Sequence, residues 1–262
     1  MMECAYISYE KSPPIATLTL NRPSKLNALI HQMIREAHTA LDDAAEDDSV
    51  RAVILNGAGR AFCSGDDMKD MVDTLRPLPR QGKEDFRPEG YHSLVIALRE
   101  IRKPVIASVH GYALGAGFEL AIACDFVLAE ENAKFGMVLI ARGMVGGTYL
   151  LPRMVGLRRA LELVLLGETI DARRAHDLGL INSVVPAEKL EEETHKLAHR
   201  LANAPTAAIG LAKTAMNRAL DMSLREGMEY QGLALALSIM TEDFTEGVSA
   251  FLEKRPTSYS GR

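Results

Sequence analysis

The sequence predicts an α/β fold on three observations: short apolar runs alternate with helix-patterned stretches, two glycine-bearing junctions each join a strand to a helix, and the chain turns almost wholly helical from Pro186 onward. A chain of 262 residues that is 47% hydrophobic can fill a sizeable core, which excludes disorder as its main state. The 35 acidic residues against 30 Lys and Arg leave a net charge of -5, the wrong sign for a nucleic-acid or anionic-membrane surface.

The elements follow in order. Residues 15–21 alternate apolar and polar side chains and then meet Arg22-Pro23, the pattern of a half-buried strand ending in a turn. Over 28–45 the apolar positions Leu29, Ile30, Met33, Ile34, Ala37, Ala40, Leu41 and Ala44 recur at spacings of three and four, which predicts an amphipathic helix. The runs 51–56, 104–110 and 126–129 read as buried strands. Stretches 186–203, 206–220 and 223–254 carry helix formers with few breakers. Between them lies one breaker-rich stretch, 76–90, with three prolines and two glycines, which reads as a long loop of possible functional use or as a surface excursion.

Cys4, Cys63 and Cys124 are odd in number and follow no metal or disulfide spacing, which points to a reducing, cytoplasmic setting. The first ten residues lack the basic start and apolar stretch of a signal peptide. The most apolar region, 112–129, is broken by Glu119 and Asp125, so no membrane span is expected. Among the seven histidines only His195 and His199 stand at i, i+4, and no third ligand accompanies them, so no metal site is expected.

The chemistry concentrates at the two junctions, 61–68 (AFCSGDDM) and 111–119 (GYALGAGFE). A strand that turns into a helix over glycines leaves backbone N–H groups aimed outward, suited to an anion or a developing oxyanion. A dinucleotide fingerprint fails because Leu120 stands where its third glycine would be, and no Gly-Lys-Ser/Thr follows either junction to make a P-loop. Ser64 has Phe62 where a nucleophile elbow needs glycine. Glu119 has only small or apolar neighbours, and desolvation there pushes a carboxyl upward, toward useful proton transfer; a buried Glu paired for structure alone is the competing reading.

Residues 20–29 (LNRPSKLNAL), 61–68, 111–125 (GYALGAGFELAIACD), 148–156 (TYLLPRMVG) and 251–255 (FLEKR) together resemble the crotonase superfamily of enoyl-CoA hydratases and isomerases. The motifs stand in the family's order across nearly the whole chain. The resemblance implies a superhelical spiral of strand-strand-helix turns over 1–185, followed by a helical region over 186–262 for trimerisation. It also implies an acyl-CoA thioester substrate, no cofactor besides the CoA of that substrate, and a homotrimer or dimer of trimers. By resemblance the N–H groups of Asp66 and Ala116 hold the thioester oxygen, and the Asp66 carboxylate is not itself needed for acid–base work. Ser64, Gly65, Asp67, Met68, Gly115 and Gly117 match the lining of the CoA path. Lys25 matches a partner for the CoA phosphates, while Phe251 and Lys254 match residues by which a neighbouring subunit reaches the nucleotide. Because the chain is acidic, Lys25 and Lys254 must offset its charge locally.

Glu119 matches the first of the two catalytic glutamates of the hydratases. The second should stand three residues after the Gly of Phe135-Gly136, where this chain has Leu139, and Gly146-Gly147-Thr148 arrives earlier than in the family pattern. A general acid–base group contributes ~100 to 10,000-fold, so the loss matters. Glu84, Asp85, Glu89 and His92, in or beside the long loop, are candidates to replace it.

The leading expectation is therefore reversible hydration of a 2-enoyl-CoA with Glu119 as acid/base. Double-bond isomerisation is the rival, since it can run on one carboxylate. A CoA-ester-binding protein with weak turnover is a second class. RNA binding is a third, disfavoured by the acidic, lysine-free stretch 29–48.

Overall fold

The computed structural model describes residues 4–75 and 90–262. In chain order the first half runs β1 (Ile7–Ser12), β2 (Ile15–Leu20), α1 (His31–Glu46), β3 (Ala52–Gly57), α2 (Met68–Leu75), α3 (Tyr91–Glu100), β4 (Val105–Val109), β5 (Tyr112–Leu114) and α4 (Ala116–Ala123). The second half runs β6 (Phe126–Glu130), β7 (Lys134–Gly136), α5 (Leu150–Leu166), β8 (Thr169–Asp171), α6 (Ala172–Asp177), β9 (Ser183–Val185), α7 (Leu190–Ala202), α8 (Thr206–Ala219), α9 (Leu224–Ile239) and α10 (Glu242–Glu253).

The large sheet has the order β1-β2-β3-β4-β6-β9, antiparallel only between β1 and β2. A small sheet, β5-β7-β8, forms the second layer. The chain thus climbs in strand-strand-helix turns, as the α/β reading and the family resemblance both imply.

Strand periodicity divides the core. Leu18, Leu20, Val53, Leu55, Val105, Ala107 and Val127 face α1, α3 and α4 in the main core, while Ile15, Ile54, Ile106 and Leu128 face the opposite side. Leu190 and Ala198 of α7 cover that second face. Hence α7, inside the 186–262 region, closes the second face of the sheet. The helix α8 is tied down too: the buried Lys213 ammonium donates to the Leu98 carbonyl at 2.8 Å and to Asp125 at 2.7 Å.

Two helix expectations are corrected. The helix expected over 28–45 begins at His31, because Leu29 pairs with the first junction as an extended residue. The helix expected over 223–254 is two, broken at Met240-Thr241, where the Thr241 hydroxyl accepts from the Phe244 N–H and starts α10. The helix α9 buries none of its residues within the chain. No described helix is long and apolar enough to cross a membrane.

Candidate active site

The two junctions lie side by side. Residues 62–64 run parallel to β5: Cys63 N–H donates to Tyr112 and Leu114 N–H donates to Cys63, both at 2.9 Å. On the other side, Leu29 N–H donates to the Gly65 carbonyl and Asp67 N–H to the Leu29 carbonyl, each at 2.8 Å. In a parallel bridge of this kind the central residue, Asp66, turns its own N–H away from Leu29, toward β5 and α4. Ala116, the first residue of α4, has the free N–H of a helix start. Among the described residues neither N–H finds an acceptor on another main-chain group.

Glycine makes the approach possible. Gly65 has φ +99°, a conformation L side chains rarely adopt, and a Cβ placed on it would lie 2.9 Å from the Leu114 carbonyl and 3.6 Å from the Ala116 nitrogen. A Cβ on Gly117 would collide with the Cys63 carbonyl. The close approach of the junctions brings the two N–H groups to one side, an arrangement chemically suited to an oxygen carrying negative charge.

Glu119 lies three residues beyond Ala116, on a helix whose residues are all buried. Its side chain is inside, with 6% of the residue exposed. Tyr91, the first residue of α3, donates its hydroxyl to Glu119 Oε2 at 2.7 Å. Burial, reinforced by the Glu119 charge, raises the Tyr91 phenol, so it keeps its proton and remains the donor. Among the described residues no other side chain donates to this carboxylate.

Leu139, on a 3-10 turn (Val138–Arg142), is buried against Gly115 and Gly146, and the Tyr91 hydroxyl borders the same Gly146. The position expected to hold a second carboxylate is thus a buried apolar side chain. Burial, with the neighbouring Glu119 charge, pushes the Asp66 carboxyl up to about 6, although its own N–H favours the ionised form.

The remaining sequence candidates sort clearly. Lys25 is exposed on a 3-10 turn (Pro23–Lys25), and its carbonyl accepts from the Ser64 hydroxyl at 3.4 Å, so both flank the first junction. Met68 opens α2 with a partly exposed side chain. The Asp67 side chain is turned away from a lining role: it pairs with Arg22 at 2.8 Å and accepts from the Lys69 N–H at the start of α2. Phe251 and Lys254 stand exposed at the far end of α10, which packs on α9 and away from the junctions. His92 follows Tyr91, with ring centroids 3.9 Å apart, and feels the Glu119 charge. Glu84, Asp85 and Glu89 lie outside the described residues.

Two residues escaped the sequence reading. Tyr91 carried no motif. Asn27 did, inside LNRPSKLNAL: from a left-handed backbone its buried amide donates to the carbonyls of Ala58, Ala61 and Phe62 at 2.7–3.2 Å and accepts from the Arg22 N–H, clamping the first junction. No group of three or more His, Cys, Asp or Glu that could hold a metal occurs among the described residues.

Residues 10–262 match the family model for enoyl-CoA hydratase/isomerase. The chain is 42% identical to a 1,2-epoxyphenylacetyl-CoA isomerase of Escherichia coli K12, over 100% of both chains. It is 38% identical to a 2,3-dehydroadipyl-CoA hydratase of the same organism, over 95% of this chain and 96% of that one. A crystal structure of an enoyl-CoA hydratase from Bacillus anthracis superposes with a TM-score of 0.89 at 34% identity, covering 98% of this chain and 100% of that one.

Proposed function

The chain belongs to the enoyl-CoA hydratase/isomerase family, an acyl-CoA-processing family of the crotonase superfamily, and from that premise we propose that it adds water reversibly to a 2-enoyl-CoA. The observation that carries the reading is Glu119, one helical turn past the Ala116 N–H, buried, and held through one oxygen by the Tyr91 phenol.

In this reading the thioester oxygen accepts from the N–H groups of Asp66 and Ala116. Glu119 takes a proton from a water whose oxygen bonds to C3, and the C2=C3 electrons move into the thioester as an enolate, whose charge the two N–H groups stabilise. Loss of one such donor in other enzymes costs on the order of 100 to 1,000-fold. Lys25 and the rim of the first junction at Ser64, Gly65 and Met68 flank the CoA. Phe251 and Lys254 reach the nucleotide of a neighbouring protomer in a homotrimer or dimer of trimers, and the apolar residues that α9 exposes support such an assembly. No cofactor is needed besides the CoA of the substrate.

The apolar Leu139 favours one second reading, isomerisation, in which a single carboxylate removes and returns a proton. The test follows conjugated-enoyl absorbance with crotonyl-CoA and with a 3-enoyl-CoA. Loss of absorbance from crotonyl-CoA supports hydration. A gain from the 3-enoyl-CoA alone means isomerisation, and CoA-ester binding with no change in either leaves a binding protein.

A further inference from the structure

Hydration moves two protons, one off water and one onto C2, and Glu119 accounts for only the first. Leu139 offers no acid. The cluster around the two junctions does.

Asp66 directs its N–H away from Leu29, toward the β5–α4 side, and an aspartate carboxyl is joined to its own nitrogen through only Cβ and Cα. The carboxyl therefore lies beside the spot that a thioester oxygen would take. C2 is bonded to the carbon bearing that oxygen, so the side chain of the residue that holds the oxygen is within reach of C2. Glu119 approaches from α4, and the Tyr91 hydroxyl, which feels both carboxylates, approaches from α3.

We propose that the Asp66 carboxyl is the second proton-transfer group of this pocket, protonating C2 of the bound thioester while Glu119 takes the proton of the attacking water. This rests on the hydration reading. The step balances: water oxygen bonds to C3 as its proton passes to Glu119, the π pair becomes the enolate, and that pair forms the C2–H bond with the Asp66 proton. Asp66 is left ionised and Glu119 protonated; exchange with solvent after product release restores both.

The surrounding charges fit a carboxyl that carries a proton. Glu119 on α4 and Asp70 on α2 disfavour the ionised form, while His31 on α1 favours it but is itself bound to Asp70 at 2.6 Å. Tyr91 on α3 and the neighbouring Cys63, whose thiol burial pushes up to about 12, stay neutral. With burial the leading cause, Asp66 sits at about 6. A thioester oxygen that takes over its N–H removes the hydrogen bond favouring the ionised form and raises it further. An ionised Asp66 would also repel the enolate, so the neutral acid is the form compatible with bound substrate.

The test compares wild type and Asp66→Asn in two assays: hydration of crotonyl-CoA, and exchange of the C2 hydrogens of butyryl-CoA with deuterated water, read by proton NMR. Hydration needs neutral Asp66, whereas exchange needs it ionised to take a C2 proton. In the wild type, hydration kcat/KM should fall as pH rises through about 6 while exchange rises over the same range. Asp66→Asn should lose both limbs and ~100 to 10,000-fold of exchange, with KM little changed. Exchange at the wild-type rate in Asp66→Asn, or no opposed limbs in the wild type, overturns the role of Asp66 and leaves hydration standing. Wild-type exchange that Asp66→Asn loses, without any hydration, overturns the hydration reading and keeps Asp66 as the group at C2. No exchange by the wild type overturns the proposal outright.

Discussion

The Tyr91 hydroxyl donates to Glu119 Oε2 at 2.7 Å, a buried bond between the start of α3 and the first turn of α4. It holds one oxygen of the carboxylate in place. A hydrogen bond to a charged group is worth about 1.5–3 kcal/mol. Tyr91→Phe should therefore lower kcat by about tenfold to a hundredfold with KM little changed. Steady-state kinetics check this, and an unaltered kcat would show that the bond does not position Glu119.

Gly117→Ala tests the close approach of the junctions. The added methyl meets the Cys63 carbonyl, so the start of α4 must move and take the Ala116 N–H with it. Loss of an oxyanion donor predicts a fall in kcat on the order of 100-fold. Thermal unfolding measured alongside separates this from simple destabilisation.

Asn27→Ala leaves the carbonyls of Ala61 and Phe62 without their amide donor inside the core, and that of Ala58 at its edge. Each buried group left unpaired costs about 1–3 kcal/mol. Urea unfolding should show a loss on the order of 3 kcal/mol or more. A loss well below 1 kcal/mol would mean that water replaces the amide.

At the C-terminus, the Arg255 guanidinium binds Glu246, with help from the Ser258 N–H, and lowers its carboxyl to about 2. The folded value lies below the unfolded one, so this contribution is present above the ordinary glutamate range and is lost as pH falls through about 2. Arg255→Ala should move the Glu246 midpoint upward in a carbon-13 NMR titration. An unmoved midpoint would mean that the pair is not formed in solution.

What the sequence made legible follows from how far each signal reaches along the chain. The buried strands β3, β4 and β6 show as continuous apolar runs and the helix α1 carries its own periodicity, while Glu119 announced itself as a charge among apolar neighbours. The strands β5, β7, β8 and β9 are three residues long, too short for any period to appear, and exist because neighbours in space pair with them. Leu29 has the right spacing for α1, yet its pairing with Gly65 and Asp67 overrides helix formation. The break before α10 did leave a trace, a threonine followed by Glu242 and Asp243 at a helix start.

At the site, the two junctions that the sequence singled out do lie side by side. Tyr91 was silent because its partner is 28 residues away and nothing local marks a tyrosine as a donor. Asp66 was read for its N–H alone. Its burial beside Glu119 arises from the approach of two junctions that sequence spacing cannot express.

The most direct test of Glu119 is Glu119→Gln, which keeps the side-chain size and the contact with Tyr91 but removes the base. Crotonyl-CoA hydration and CoA-ester affinity by calorimetry are measured on the same preparation. The account predicts affinity near that of the wild type with kcat lower by ~100 to 10,000-fold. Full hydration by Glu119→Gln would contradict it.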